Sequence, residues 1–129
     1  MTVKVFIVDD EPAIPKLTQI YLERIVDDFE IITAKDGAEA LDLISKLPET
    51  DYPDITILDF KMADMDGVDT AKQLVEKGIR NIYILTAYVN PEIISRANEC
   101  GVKGIMKKSE GFKAIAEKIA EMIRQSQTS

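Results

Sequence analysis

Two short stretches hold the residues that could do chemistry. ILDFKMADMDGVD (57–69) carries Asp59, Asp64, Asp66 and Asp69 directly after an apolar, β-branched run, and Asp9-Asp10-Glu11 follows the similar run VKVFIV (3–8). Like charges this dense are costly unless one takes up a proton or a cation sits among them. The chain has no histidine, which excludes a Ser-His-Asp triad, a histidine general base and a histidine-ligated zinc site. Chemistry therefore falls to carboxylates, hydroxyls, lysines and a bound ion.

The elements that must position these groups follow from the apolar pattern. VKVFIV (3–8), EIITA (30–34), ITIL (55–58), IYILTA (82–87) and GIM (104–106) are short and rich in β-branched residues, and read as strands. The first, third and fourth are nearly continuous, as strands buried on both faces are. Helical periods lie between them: Ile14, Leu17, Tyr21 and Ile25; Leu41, Ile44 and Leu47; Val68, Ala71, Leu74 and Val75; Ile93, Ile94 and Ala97; then Phe112, Ile115, Ala116, Ile119 and Ile123. Asn90-Pro91 reads as an N-cap followed by proline at the first helical position, and Gly78 and Gly101 fall where helices should end. Pro15 is harmless if its helix starts at about Pro12 or later. Five alternating βα units predict a single α/β domain over 1–129: a doubly wound, flavodoxin-like parallel sheet in order 2-1-3-4-5 with helices on both faces. The ordered core is expected over about 3–124, with QSQTS (125–129) an unstructured tail or the start of a linker.

In such sheets ligands bind beyond the carboxyl ends of the strands. Strand 1 ends in Asp9-Asp10-Glu11, strand 3 in Asp59, strand 4 in Thr86, and strand 5 near Lys107 and Lys108. Strands 1 and 3 are neighbours in this order, so Asp9, Asp10 and Asp59 should converge. An all-oxygen site with several carboxylates suits Mg²⁺, with Mn²⁺ the alternative. A carboxylate nucleophile, a divalent ion, a lysine and a hydroxyl form a phosphoryl-transfer set. Asp59 would attack phosphorus and become an acyl phosphate, the ion and Lys108 would neutralise the equatorial oxygens, and Thr86 would hydrogen-bond one of them.

These residues resemble the receiver (response regulator) domain of two-component signalling. The resemblance runs from Val3 to about Arg124 and rests on the acid pair of IVDDEP (Asp9, Asp10), on Asp59 in ILDFKMADMDG, on Thr86 and Ala87 of LTA, and on the lysine of GVKGIMKKS. It implies that Asp59 is the phospho-acceptor and that Asp10 and Asp59 ligate Mg²⁺ directly. Asp9 would act partly through water, and the Lys61 backbone carbonyl would complete the set. It further implies that Lys61 and Tyr88 tune loss of the phosphoryl group. The family's glycine-to-lysine spacing selects Lys108 over Lys107, and in-out alternation puts the two on opposite faces. Three positions depart from the family's pattern. Ala63 replaces the usual proline of the acceptor loop, which predicts a less rigid loop. Ser109 replaces a proline that is often cis, and serine makes cis costly. Ile105 stands where many members carry Tyr or Phe, which argues against a switch coupled to an aromatic ring.

DMDGV (64–68) also resembles the DxDG loop of haloacid-dehalogenase-type phosphatases, which would make Asp64 the nucleophile. There the first aspartate ends a strand, whereas Asp64 follows Lys61-Met62-Ala63. An EF-hand loop fails, because glycine at its sixth position would put Met62 at the first. Asp66 is expected to cap the third helix, and Asp64 and Asp69 to be solvated. A third reading is an interaction domain that keeps the fold without phosphorylation.

Composition narrows the partners. The chain has 129 residues, 46% apolar and 30% charged, with a net charge of −7. This argues against direct binding of nucleic acid, for which Lys103, Lys107 and Lys108 are a thin patch. No apolar run approaches the roughly 20 residues of a membrane span. A single cysteine, Cys100, fits a reducing, cytoplasmic setting. The resemblance implies a sensor histidine kinase or phosphotransfer protein as phosphoryl donor. It implies as reader a separate protein or a covalently linked output domain, docking on the face of helix 4, strand 5 and helix 5.

Overall fold

The structure, a computed structural model, describes residues 2–128. Strands β1 (Val3–Val8), β2 (Phe29–Ala34), β3 (Ile55–Asp59), β4 (Ile82–Thr86) and β5 (Gly104–Lys107) alternate with helices α1 (Ala13–Glu23), α2 (Gly37–Ser45), α3 (Gly67–Glu76), α4 (Pro91–Cys100) and α5 (Phe112–Thr128). All pairings are parallel, in the order β2-β1-β3-β4-β5. The order is the one anticipated. β1 and β3 lie side by side, Ile7 opposite Ile57 and Val8 opposite Leu58, so the groups beyond Val8 and at Asp59 emerge together.

The two faces of the sheet bury separate cores. Val5, Ile7, Ile55, Ile57, Leu85 and Met106 pack under α1 and α5, through Ile14, Leu22, Ile115, Ile119 and Ile123. Phe6, Val8, Leu58, Ile82 and Ile84 pack under α2, α3 and α4, through Ala40, Ile44, Val68, Leu74 and Ala97. Successive residues of a strand point to opposite faces, so a strand covered on both sides offers no solvent-facing position. β3 is accordingly buried at every residue.

Helix boundaries follow local chemistry. The Asn90 carboxamide accepts from the Ile93 N–H at 2.9 Å with Pro91 at the first helical position. Gly78 and Gly101 close α3 and α4 at φ +96° and +90°, where a side chain would be strained. Pro15 sits in the first turn of α1, where no intrahelical N–H is lost.

Several expectations need correction. The buried stripe of α1 is Ile14, Thr18 and Leu22, with Leu17 and Tyr21 only half-buried. Thr18 can be buried because its hydroxyl donates to the Ile14 carbonyl at 2.7 Å. The helix ends at Glu23, leaving Ile25 41% exposed while Val26 turns into the core. β2 begins at Phe29 and β5 extends to Lys107, one residue beyond the expected limits. The expected tail is helical through Thr128, Ser129 lying outside the described residues. It is tied down: Arg124 donates to the Ile25 carbonyl at 3.1 Å, and the Gln127 amide to the carbonyls of Asp27 at 3.1 Å and Asp28 at 3.5 Å. Among the described residues, no helix is long and apolar enough to cross a membrane.

Candidate functional site

Beyond the carboxyl ends of β1, β3, β4 and β5 lies a cleft of about 730 Å³ lined by Asp10, Asp59, Lys61, Thr86, Tyr88 and Lys108, among others. Asp9 and Asp59 are each only 5% exposed, whereas Asp10 is exposed. Carboxylate oxygens of Asp9, Asp10 and Asp59 all lie within 4.8 Å of one another. The Lys108 ammonium faces this group at 3.1 Å from Asp59 Oδ1, 3.4 Å from Asp9 Oδ2 and 3.6 Å from Glu11 Oε1. The convergence expected from strand order is therefore present.

Electrostatics of the cluster follow from its burial. Asp9 is pushed up to about 6, chiefly by burial; the Glu11 N–H on its Oδ1 pulls it down, Asp59 adds to the rise and Lys108 subtracts. Burial also raises Asp59, against the lowering contact and charge of Lys108, with Asp10 and Glu11 adding to the rise. Burial alone would lower Lys108, but contact with Asp59 and the charges of Asp59 and Asp9 outweigh it and hold the ammonium above its usual range. One cation thus answers several carboxylates, and it does not satisfy them all. Asp9 Oδ2 is buried without a hydrogen-bond partner among the described residues, since Lys108 stands at ion-pair distance without hydrogen-bond alignment. A buried carboxylate oxygen with no donor, beside two further carboxylates, fits a hard divalent cation with oxygen ligands.

The remaining anticipated residues divide. Thr86 is buried at 3% exposure, but its hydroxyl is engaged locally: it donates to the Tyr88 carbonyl at 2.8 Å and accepts from the Tyr88 N–H at 3.1 Å. The Tyr88 side chain is 76% exposed and Ala87 is exposed. Ile105 is half-buried and packs against the core beneath α2, α3 and α4. Lys107 is exposed and Lys108 faces the acids, as alternation requires; Lys103 donates to Asn81 Oδ1 at 2.9 Å. These three lysines do not act as one patch. The bond between Lys108 and Ser109 is trans, like every described peptide bond.

Asp64 lies outside the cleft, and it is not merely solvated. Its carboxylate accepts from the N–H groups of Ala38 at 2.7 Å, Met65 at 2.8 Å and Gly37 at 3.3 Å. Slight burial would raise its pKa, but these donors outweigh that and hold it below the usual carboxylate range. Asp66 caps α3 as expected, accepting from the Asp69 N–H at 2.8 Å. Asp69 is paired as well: Arg96 of α4 reaches Asp66 at 3.0 Å and Asp69 at 3.2 Å, and lies over the Phe60 ring.

The sequence reading overlooked Arg96, Gly37 and Gly67. A Cβ on Gly67 would stand 2.5 Å from the Asp59 carbonyl oxygen, so the start of α3 needs glycine to close against the acceptor strand. The GV pair after Asp66 was the available signal for that close approach. Nothing local to Arg96 marks its partners, which lie 27 and 30 residues away.

A family model described as the response regulator receiver domain matches residues 5–120. The alkaline phosphatase synthesis transcriptional regulatory protein PhoP of Bacillus subtilis (strain 168) is 33% identical over 128 residues, which cover 98% of this chain and 51% of PhoP. The chain spans about half the length of several of the curated relatives it matches. Two solved structures share the fold. The phosphorylated cyanobacterial phytochrome response regulator RcpA has a TM-score of 0.83 at 24% identity, covering 98% of this chain and 96% of that one. The Mn²⁺-bound form of response regulator Rcp1 has a TM-score of 0.76 at 22% identity, covering 93% and 91%.

Proposed function

Because this chain belongs to the response regulator receiver domain family of two-component systems, we propose that it is a phospho-accepting switch in which Asp59 takes a phosphoryl group from a histidine kinase or a phosphotransfer protein. The observation that carries this reading is the placement of Asp59. It is a nearly buried carboxylate at the end of β3, 3.1 Å from a lysine ammonium and clustered with two further acids at the floor of a cleft. Asp59 attacks phosphorus, a new O–P bond forms, and the P–N bond of the donor phosphohistidine breaks with the electron pair leaving on the imidazole. Lys108 holds the attacking carboxylate and then balances charge on the transferred group. The cleft is too closed around Asp59 for bulk water to surround it, which strengthens both contacts. Engagement of the phosphoryl group by Thr86 exchanges its bond to the Tyr88 carbonyl.

Asp9, Asp10 and Asp59 would hold a divalent cation, with the Lys61 carbonyl as a further ligand. Mg²⁺ is the natural choice, and the Mn²⁺-bound form of Rcp1 supports Mn²⁺ as an alternative. Such an ion supplies Lewis-acid stabilisation of charge on the phosphoryl oxygens. The output is a change of partner-binding surface, read by a separate protein or a linked domain in the cytoplasm, not turnover of a small molecule. PhoP, a transcriptional regulatory protein about twice this length, supports the linked arrangement.

The test is intact-mass spectrometry after incubation with Mg²⁺ and a small acyl-phosphate donor. One phosphoryl adduct is expected on the wild type, and none on Asp59→Asn or without the divalent ion. An adduct that persists on Asp59→Asn, or none on a wild type shown to bind Mg²⁺, overturns the reading.

A further inference from the structure

We propose that Asp64 is a positioning residue of the phospho-acceptor site, latching the loop after β3 onto the N-terminus of α2. This inference rests on the function proposed above.

The loop between Asp59 and α3 carries Lys61, whose carbonyl that function requires in a fixed place. Its ends are secured: the Phe60 N–H donates to the Leu85 carbonyl at 3.1 Å, and the Gly67 N–H to the Phe60 carbonyl at 2.7 Å. Between them, Lys61, Met62 and Ala63 make no hydrogen bond to other described residues. Ala63 supplies no ring to restrict its own backbone. The next fixed point is Asp64, which takes the N–H groups of Gly37 and Ala38 across 27 and 26 residues of sequence. A helix N-terminus presents several unpaired N–H groups and a partial positive charge, so it receives a carboxylate well. The donors of α2 are shared without overlap, Asp36 taking the Glu39 N–H at 2.8 Å and Asp64 taking the first two.

A second feature serves the same contact. Gly37 opens α2, and a Cβ there would stand 2.6 Å from Met65 Cγ and 2.5 Å from Thr70 Oγ1. Glycine at this position lets the helix end approach the loop closely enough for the latch to close.

The test compares Asp64→Ala, Asp64→Asn and Asp36→Ala with the wild type. Asp36 caps the same helix without touching the loop, so it isolates the effect on α2. Three quantities are read: the urea midpoint under chelator, the Mg²⁺ affinity by calorimetry, and hydrogen exchange across residues 60–66. Both alanine variants should lower the midpoint. Only Asp64→Ala should weaken Mg²⁺, by roughly tenfold, the low end for residues that support metal ligands from behind, and only it should speed exchange in the loop. Asp64→Asn, which keeps one acceptor oxygen, should fall between.

Unchanged Mg²⁺ affinity and loop exchange in Asp64→Ala, or equal changes in Asp36→Ala, would overturn the proposal and leave Asp64 a helix cap. A wild type that binds no Mg²⁺ would sink the function proposed above, and loop exchange would still decide whether Asp64 holds the loop.

Discussion

Replacing Asp9 with asparagine should stabilise the metal-free protein. Burial raises this carboxylate from 3.8 to about 6. At about 1.36 kcal/mol per pH unit, keeping it ionised costs the fold about 3 kcal/mol at neutral pH. Asparagine removes the charge and keeps an oxygen for the Glu11 N–H, now bonded at 2.9 Å. It also turns an amide nitrogen toward the Lys108 ammonium, which stands 3.4 Å from the present Oδ2. Part of the gain should survive, about 1–2 kcal/mol, or a few degrees in Tm for a chain of this length.

The pH dependence has a definite sign. The native pKa lies above the unfolded one, so between pH 3.8 and about 6 the native state holds more protons. Wild-type stability from this group falls as pH rises through that window and is level above it. Asp9→Asn should flatten the slope, leaving the contribution of Asp59, which has the same sign. Urea unfolding with a chelator, followed by far-ultraviolet circular dichroism from pH 4.5 to 7.5, measures both quantities. Excess Mg²⁺ should stabilise the wild type more than the variant and close the gap, because it binds only the folded acid cluster. A variant no more stable than wild type at pH 7 under chelator, or an unchanged slope, would refute the reasoning.

Thr56→Val should raise the urea midpoint by the equivalent of about 1 kcal/mol, because the Thr56 hydroxyl is wholly buried without a partner among the described residues; a fall in the midpoint would count against this. Gly67→Ala should cost about 1–3 kcal/mol, since the added carbon meets the Asp59 and Phe60 backbone, which cannot swing aside. It should also slow phosphorylation in the intact-mass assay, and wild-type stability would show that α3 shifts freely. Ending the chain at Arg124 should lower the midpoint by the equivalent of up to about 1 kcal/mol through loss of the Gln127 contacts, whereas an unstructured tail would give no change.

The fold was legible because each element announces itself locally. β1, β3 and β4 are covered on both faces and so read as nearly continuous apolar runs, while the helices carry their own caps at Asn90, Gly78 and Gly101. The placement of the candidate site was legible because a doubly wound sheet gathers the residues at its strand ends, where Asp9, Asp59, Thr86 and Lys108 stand. The misses are tertiary. The α1 stripe was misplaced because Thr18 conceals its polarity by bonding one turn back, which a hydrophobic period cannot register. The tail was misread because polar residues without an apolar stripe gave no sign of the carbonyls waiting for Gln127 at Asp27 and Asp28, about a hundred residues earlier. Asp64 was misjudged for the same reason, since two of its three donors, the N–H groups of Gly37 and Ala38, belong to a different helix.

The Thr86 hydroxyl has a single proton, now given to the Tyr88 carbonyl. If Thr86 engages a phosphoryl oxygen as proposed above, it cannot serve that carbonyl as well, so the two acceptors would compete and the segment that opens α4 would be energetically tied to occupancy of the acid cleft. Such a tie is reciprocal. A protein that grips residues 87–90 in their present shape would then make phosphorylation less favourable by the factor by which phosphorylation weakens its grip, and one that prefers the released shape would do the reverse. On the function proposed above, the occupancy of Asp59 would then be shared property, set jointly by the phosphoryl donor and by whichever partner is bound at Tyr88.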